Sequence, residues 1–148
     1  MDACYTCGRN AIEAEALPSR EQIHLDDHWR VAHALSSALP GWLVILPRRH
    51  ILSLSEMSAE EASTLGSLLP RLSRALETVT GARKCYLMFF AEAAGFEHLH
   101  IHLVPRFEDL PEDHRGPAVM YYLNRPRNEW IDEGEMDRIA EEVRERLS

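Results

Sequence analysis

Strict alternation over His98-Leu99-His100-Ile101-His102-Leu103 constrains this chain more than any other stretch, because an extended backbone puts the imidazoles on one side and the aliphatic side chains on the other. The segment runs on to Val104 and Pro105 and predicts a β-strand whose aliphatic face is buried. Same-face neighbours stand roughly 6.5–7 Å apart along a strand, so the Cα atoms of His98 and His102 are separated by about 13 Å. One metal ion does not easily collect all three imidazoles. Two adjacent ones can share an ion, and three in a row point to divided labour. The plain alternative is a half-exposed strand whose histidines only meet solvent.

The chain has 148 residues, which fits a single domain, 1–148, with one core and no need of disulfides. No apolar run approaches the roughly 18 residues that span a bilayer, and no charged-then-apolar signal segment opens the sequence. The expectation is a soluble, cytoplasmic protein with no membrane partner. A formal net charge of -8 opposes attraction to a phosphate backbone and argues against a duplex nucleic-acid partner. A small phosphorylated ligand needs only a local cluster of donors, and Arg48, Arg49 and Arg106 lie beside the histidine-bearing segments. Three cysteines, two of them close together, do not make a secreted disulfide framework and fit a reducing compartment.

Cys4-Tyr5-Thr6-Cys7-Gly8 has the spacing of a metal knuckle, with a redox pair or free thiols as the competing readings. Ile23 and Leu25, then Asp26-Asp27-His28, then Trp29 and Val31 read as a β-hairpin with a polar tip, placing His24 and His28 in the turn or on the surface. After Pro40-Gly41, residues Trp42 to Leu46 form a continuous apolar strand buried on both faces, which delivers Arg48-Arg49-His50 at its end. Ser58 and Glu61 form a capping box for a long helix carrying Leu65, Leu68, Leu69, Leu72, Leu76 and Val79 on one face, ended by Gly81 and kinked at Pro70. Tyr86 to Phe90 predicts another apolar strand. A short link, Ala91 to Phe96, makes it the antiparallel neighbour of the histidine strand, and Cys85 a core residue. Glu108 to Pro117 reads as a loop. Met136, Ile139, Ala140, Val143 and Leu147 mark a C-terminal amphipathic helix capped by Asp132. The sum is an α+β fold: an antiparallel sheet of roughly five strands with the helices on one side.

His98-x-His100-x-His102, the strand Pro-Gly-Trp-Leu-Val-Ile-Leu-Pro-Arg-Arg-His over residues 40–50, and the helix between them resemble the histidine triad (HIT) family, in its zinc-containing bacterial-type branch. The resemblance covers residues 1–106 and leaves 107–148 as a C-terminal loop and helix. It implies a HIT-like fold, a homodimer, and a nucleotide hydrolase or nucleotidyltransferase acting on dinucleoside polyphosphates or nucleoside phosphoramidates. Carried over residue by residue, it makes His100 the nucleophile on an α-phosphorus. His102 becomes the residue that orients His100 or assists the leaving group. It also implies a structural zinc held by Cys4, Cys7, His50 and His98, a donor set that suits a closed tetrahedral site and leaves His100 free.

The chain departs from the family pattern at several ligand positions. Trp42 stands where many members carry a fourth active-site histidine, Ala34 where an acidic residue holds ribose hydroxyls, and Ala91 near the usual side-chain amide. Losing three charge-assisted hydrogen bonds, each worth about 1.5–3 kcal/mol, is enough to abolish affinity for an ordinary adenosine nucleotide. Arg106 and Trp42 are candidate substrate contacts, the latter by stacking on a base unless it fills the core. Glu92, Glu97 and Arg115 are candidate replacements. Two other functions remain open at this level: a non-catalytic, zinc-stabilised nucleotide-binding module, and a metal-dependent oxygenase using His98 and His100.

Overall fold

The computed structural model describes residues 4–147, so the first three residues and the last of the expected 1–148 domain lie outside the described residues. Five antiparallel strands form one sheet in the order β1-β2-β3-β5-β4, with β1 His24–Leu25, β2 Trp29–His33, β3 Leu43–Pro47, β4 Lys84–Met88 and β5 Ile101–Arg106. The β1–β2 hairpin is closed at its polar tip by Asp26, whose Oδ1 accepts from the backbone N–H groups of His28 and Trp29 at 2.7 Å each. The same carboxylate takes His24 Nε2 at 2.7 Å through Oδ2, so both histidines belong to the turn. At the β2–β3 turn, Gly41 adopts φ +83°, and an added Cβ would come within 2.9 Å of Thr80. Only glycine fits that approach.

Three helices complete the regular structure: α1 Tyr5–Asn10, α2 Ala59–Thr80 and α3 Glu133–Leu147. Helix α2 begins with the expected capping box, in which Ser58 and Glu61 satisfy each other's backbone donors, and ends at Gly81 in the left-handed conformation. It runs unbroken through Pro70. Pro70 and Gly66 both lie on the exposed side, so the Gly66 carbonyl that Pro70 leaves without a donor is open to water. Asp132 caps α3, its Oδ1 accepting from Glu135 N at 2.9 Å. Leu68, Leu72 and Leu76 of α2 and Ile139 and Val143 of α3 pack with Trp29, Val31, Leu43, Ile45, Ile101 and Leu103 into one core. Each such aliphatic side chain contributes about 1.5–3 kcal/mol on burial.

Three expectations need correction. The β5 ladder begins at Ile101, so His98 and His100 precede it; the Leu99 N–H is taken by Ile51 O at 2.7 Å and not by a strand. Strand β4 lies two residues earlier than Tyr86–Phe90, because its register is set by pairing Lys84 with Arg106 and Met88 with His102. It is an edge strand, Leu87 and Phe90 are exposed, and Cys85 is only partly buried against the helix-side core. Finally, 107–131 is more than a loop. It folds into short 3-10 turns at Glu112–His114, Gly116–Leu123 and Arg127–Glu129. These turns bury Val119 against Ala34, Leu39, Trp42 and Val104, covering the sheet face opposite the helices.

Candidate active site and metal centre

The Cys4-x-x-Cys7 pair opens α1, with Cys4 Sγ as its cap accepting from Cys7 N at 3.3 Å. This brings both sulfurs to His50, just past β3, and to His98, just before β5. Cys4 Sγ lies 3.4 Å from His98 Nδ1, and Cys7 Sγ lies 3.3 Å from His50 Nδ1 and 3.5 Å from His98 Nδ1. The two Nδ1 atoms are 3.1 Å apart. A zinc tetrahedron with about 2.3 Å to sulfur and about 2.0 Å to nitrogen has S···N edges of about 3.5 Å and an N···N edge of about 3.3 Å. The four donors are therefore already at the spacing of that ion. His98 Nε2 donates to Pro47 O at 2.8 Å, which fixes the tautomer and leaves the Nδ1 lone pair facing the other three donors. Burial and the Cys4 hydrogen bond push the Cys7 thiol up to about 11, and a bound cation supplies the charge that makes thiolates of the pair. Cys4, Cys7, His50 and His98 can hold a metal ion, and the closed set of two thiolates and two imidazoles suits structural zinc.

His100 is outside that cluster. Its Nδ1 lies 2.8 Å from the His98 carbonyl, which can only accept, so Nδ1 carries the proton and Nε2 holds a free lone pair. His102 has the opposite tautomer. Trp42 Nε1 donates to His102 Nδ1 at 3.0 Å, and an indole N–H cannot accept, so the His102 proton sits on Nε2. The His100 and His102 rings meet edge to face with centroids 5.0 Å apart. Burial, reinforced by the neighbouring His100, pulls His102 down to about 4 and keeps it neutral.

Both rings line a cavity of about 430 Å³ on the face opposite α2 and α3, with Tyr5 and Thr6 of α1 also at its wall. Its floor is Ala32, Ala34, Val44 and Leu46, small or aliphatic side chains of β2 and β3. Trp42 is fully buried and touches the site only through His102, and Arg106 does not line the cavity. Of the candidate replacement residues, Glu92 lines it; Glu97 and Arg115 do not. Ala91 lines it with φ +57°, a left-handed conformation costly for a residue with a Cβ. Sequence reading missed Phe90, Met120, Leu123, Arg30 and Glu21, which also form its walls. Arg30 gave no signal, since it alternates with Trp29 and Val31 at a position that reads as solvent-facing; Met120 and Leu123 carried none either, since a 3-10 turn has no long periodicity.

A family model described as the HIT domain matches residues 19–109. No curated protein matches the chain by sequence. Among solved structures, a HIT-like protein involved in cell-cycle regulation from Bartonella henselae is 19% identical, with TM-score 0.67 over 93% of this chain and 90% of that one. A hypothetical histidine triad nucleotide-binding protein from Sulfolobus tokodaii is 17% identical, with TM-score 0.69 over 97% and 91%. A zinc-bound histidine triad family protein from Mycobacterium smegmatis is 21% identical, with TM-score 0.66 over 98% and 93%. These neighbours share the five-stranded antiparallel α+β fold, and the family match spans more than half of the sequence. The chain belongs to the histidine triad (HIT) family.

Proposed function

We propose that this protein is a nucleotide hydrolase or nucleotidyltransferase that works through a nucleotidyl intermediate on His100. Family membership points to nucleotide binding and to hydrolase or transferase chemistry in general. The observation that carries the finer reading is the opposed pair of tautomers at His100 and His102. The His100 Nε2 lone pair attacks the α-phosphorus; an N–P bond forms and the bond from phosphorus to the leaving oxygen or nitrogen breaks. As the ring gains positive charge, its Nδ1–H bond to the His98 carbonyl strengthens. The neutral His102 directs its Nε2–H toward a phosphoryl oxygen or the leaving atom, where charge develops in the transition state, and the departing group takes its proton from water. Water or another acceptor then attacks phosphorus from the vacated side, loses its proton to solvent, and restores the lone pair on His100.

Cys4, Cys7, His50 and His98 would hold zinc apart from these steps, and a zinc bound there would fix the backbone on which the His98 carbonyl sits. Trp42 acts through His102 and not by stacking on substrate. The same proposal has the protein work as a cytoplasmic homodimer, with the open edge of β4, its exposed Leu87 and the exposed Phe90 just after it as the surface that a second copy covers. No helix among the described residues is long and apolar enough to cross a membrane. Incubation of the zinc-loaded protein with a panel of nucleoside 5′-phosphoramidates should give an acid-labile, alkali-stable adduct that maps to His100. Nucleotide binding with no adduct across the panel would instead establish the non-catalytic binding module.

A further inference from the structure

Resting on the nucleotide reading above, we propose that Arg30 and Glu21 form the base-recognition end of the cavity and select guanine over adenine. Arg30 pairs with Leu46, and continuing the β3–β5 register one step past Ile45 with Ile101 sets Leu46 opposite His100. Arg30 and His100 therefore flank Leu46 in one row on the cavity face, two strand spacings apart, or about 10 Å between Cα atoms. That span suits a nucleotide whose phosphorus is at His100 and whose base edge is at Arg30. The small aliphatic floor between them suits a flat ring, and Ala34 offers no hydrogen bond to a sugar.

The polar groups at this end are built in, not incidental. Arg30 is 3% exposed and Glu21 6%. The Arg30 Nε donates to Asn10 Oδ1 at 2.8 Å and its Nη1 to the Glu21 carbonyl at 2.9 Å, both neutral partners. Among the described residues, its Nη2 makes no hydrogen bond and no carboxylate forms an ion pair with Arg30. Among the described residues no side-chain nitrogen or oxygen is both sealed from solvent and without a partner, so Nη2 keeps contact with solvent, and the hollow that Arg30 lines is the cavity. Glu21 is gripped by the Arg9 Nε and Nη2, one to each oxygen, which fixes its carboxylate in place and leaves further lone pairs, and Glu21 lines the cavity.

Nη2 together with the second N–H of Nη1 presents two parallel donors, which match two adjacent acceptors. Guanine presents O6 and N7 side by side, whereas adenine sets an amino donor beside N7 and opposes an arginine there. A carboxylate next to these donors accepts from the guanine N1–H and amino group.

Calorimetry on the zinc-loaded full chain with GMP and AMP tests the assignment. GMP should bind at least tenfold more tightly. Arg30→Lys, which keeps a charged donor and so protects the fold, should lower GMP affinity about tenfold and leave AMP within twofold; Arg30→Met should do the same if its thermal melt shows it folded. Equal binding of both nucleotides, tighter AMP binding, or an equal loss of both in Arg30→Lys overturns the proposal. The two readings fail separately. GMP preference without a His100 adduct removes the catalytic reading alone, and an adduct formed equally from guanosine and adenosine phosphoramidates removes the base assignment alone.

Discussion

The two faces of the sheet differ in what covers them, and the difference separates stability from chemistry. One face lies under α2 and α3, which present buried leucines, isoleucine and valine at helical spacing to alternate residues of the strands. The other lies under α1 and the 3-10 turns of 107–131, which leave a cavity where the first face has close packing. Every proposed working group, His100, His102, Arg30 and Glu21, is on the second face. Irregular cover can leave a ligand-sized hollow that two well-packed helices close.

Metal removal should strain that contrast most, because zinc at Cys4, Cys7, His50 and His98 would tie α1 to the segments just past β3 and just before β5. At free zinc a thousandfold above its dissociation constant, binding to the folded state contributes about 4 kcal/mol. Cys7→Ser should therefore lower the melting temperature by about 8–16 °C, read by calorimetry. An unchanged melt, with zinc absent, would show that α1 is held by its protein contacts alone. On the helix side, Leu72→Ala, at a fully buried position, should cost about 2–5 kcal/mol in denaturant unfolding and leave nucleotide affinity unchanged. A matching loss of affinity would break the separation of the faces.

His33 gives a pH test between these magnitudes. It is buried in the β2–β3 turn, its Nδ1–H donating to Ala34 O at 2.9 Å and its Nε2 accepting from Gly41 N at 2.9 Å. Burial, only partly offset by the Ala34 carbonyl, pulls it from 6.5 to about 4. As pH falls through this window the unfolded chain takes up the proton first, so stability is full above about 6.5 and falls toward 4, by about 3 kcal/mol for this group. Unfolding free energies from urea titrations at pH 7 and pH 4 should differ by that much more in the native sequence than in His33→Gln, with zinc loading equal. Equal differences contradict the buried, neutral state. The smallest effect belongs to Trp42→Phe. It leaves His102 Nδ1 without its donor, costs about 1–3 kcal/mol, and frees the tautomer, so kcat for nucleotide release should fall while KM holds.

The same contrast explains what could be read from the residues. Helices α2 and α3, the hairpin and β3 were legible because period and turn chemistry are local, and Ser58, Asp132 and Gly41 mark their limits. The Cys4-x-x-Cys7 pair, His50 and His98 were legible through the family likeness, and the structure gathers all four. The cover of the second face was not, since it is held by distant partners: Gly116 N donates to Tyr86 Oη at 3.0 Å, and Ile131 N to Ser37 O at 2.9 Å. The offset of β4 and the roles of Trp42, Arg30 and Glu21 likewise depend on which strand lies alongside.

Native mass spectrometry of the zinc-loaded chain after brief exposure to a nucleoside 5′-phosphoramidate reads the metal and the adduct in one spectrum. One zinc per chain should be present in both the native sequence and His100→Ala, with the nucleotidyl mass only in the former, and His98→Ala should lose the zinc. Loss of zinc from His100→Ala, or an adduct that survives this substitution, would contradict the division of the histidine segment between an ion and a phosphorus.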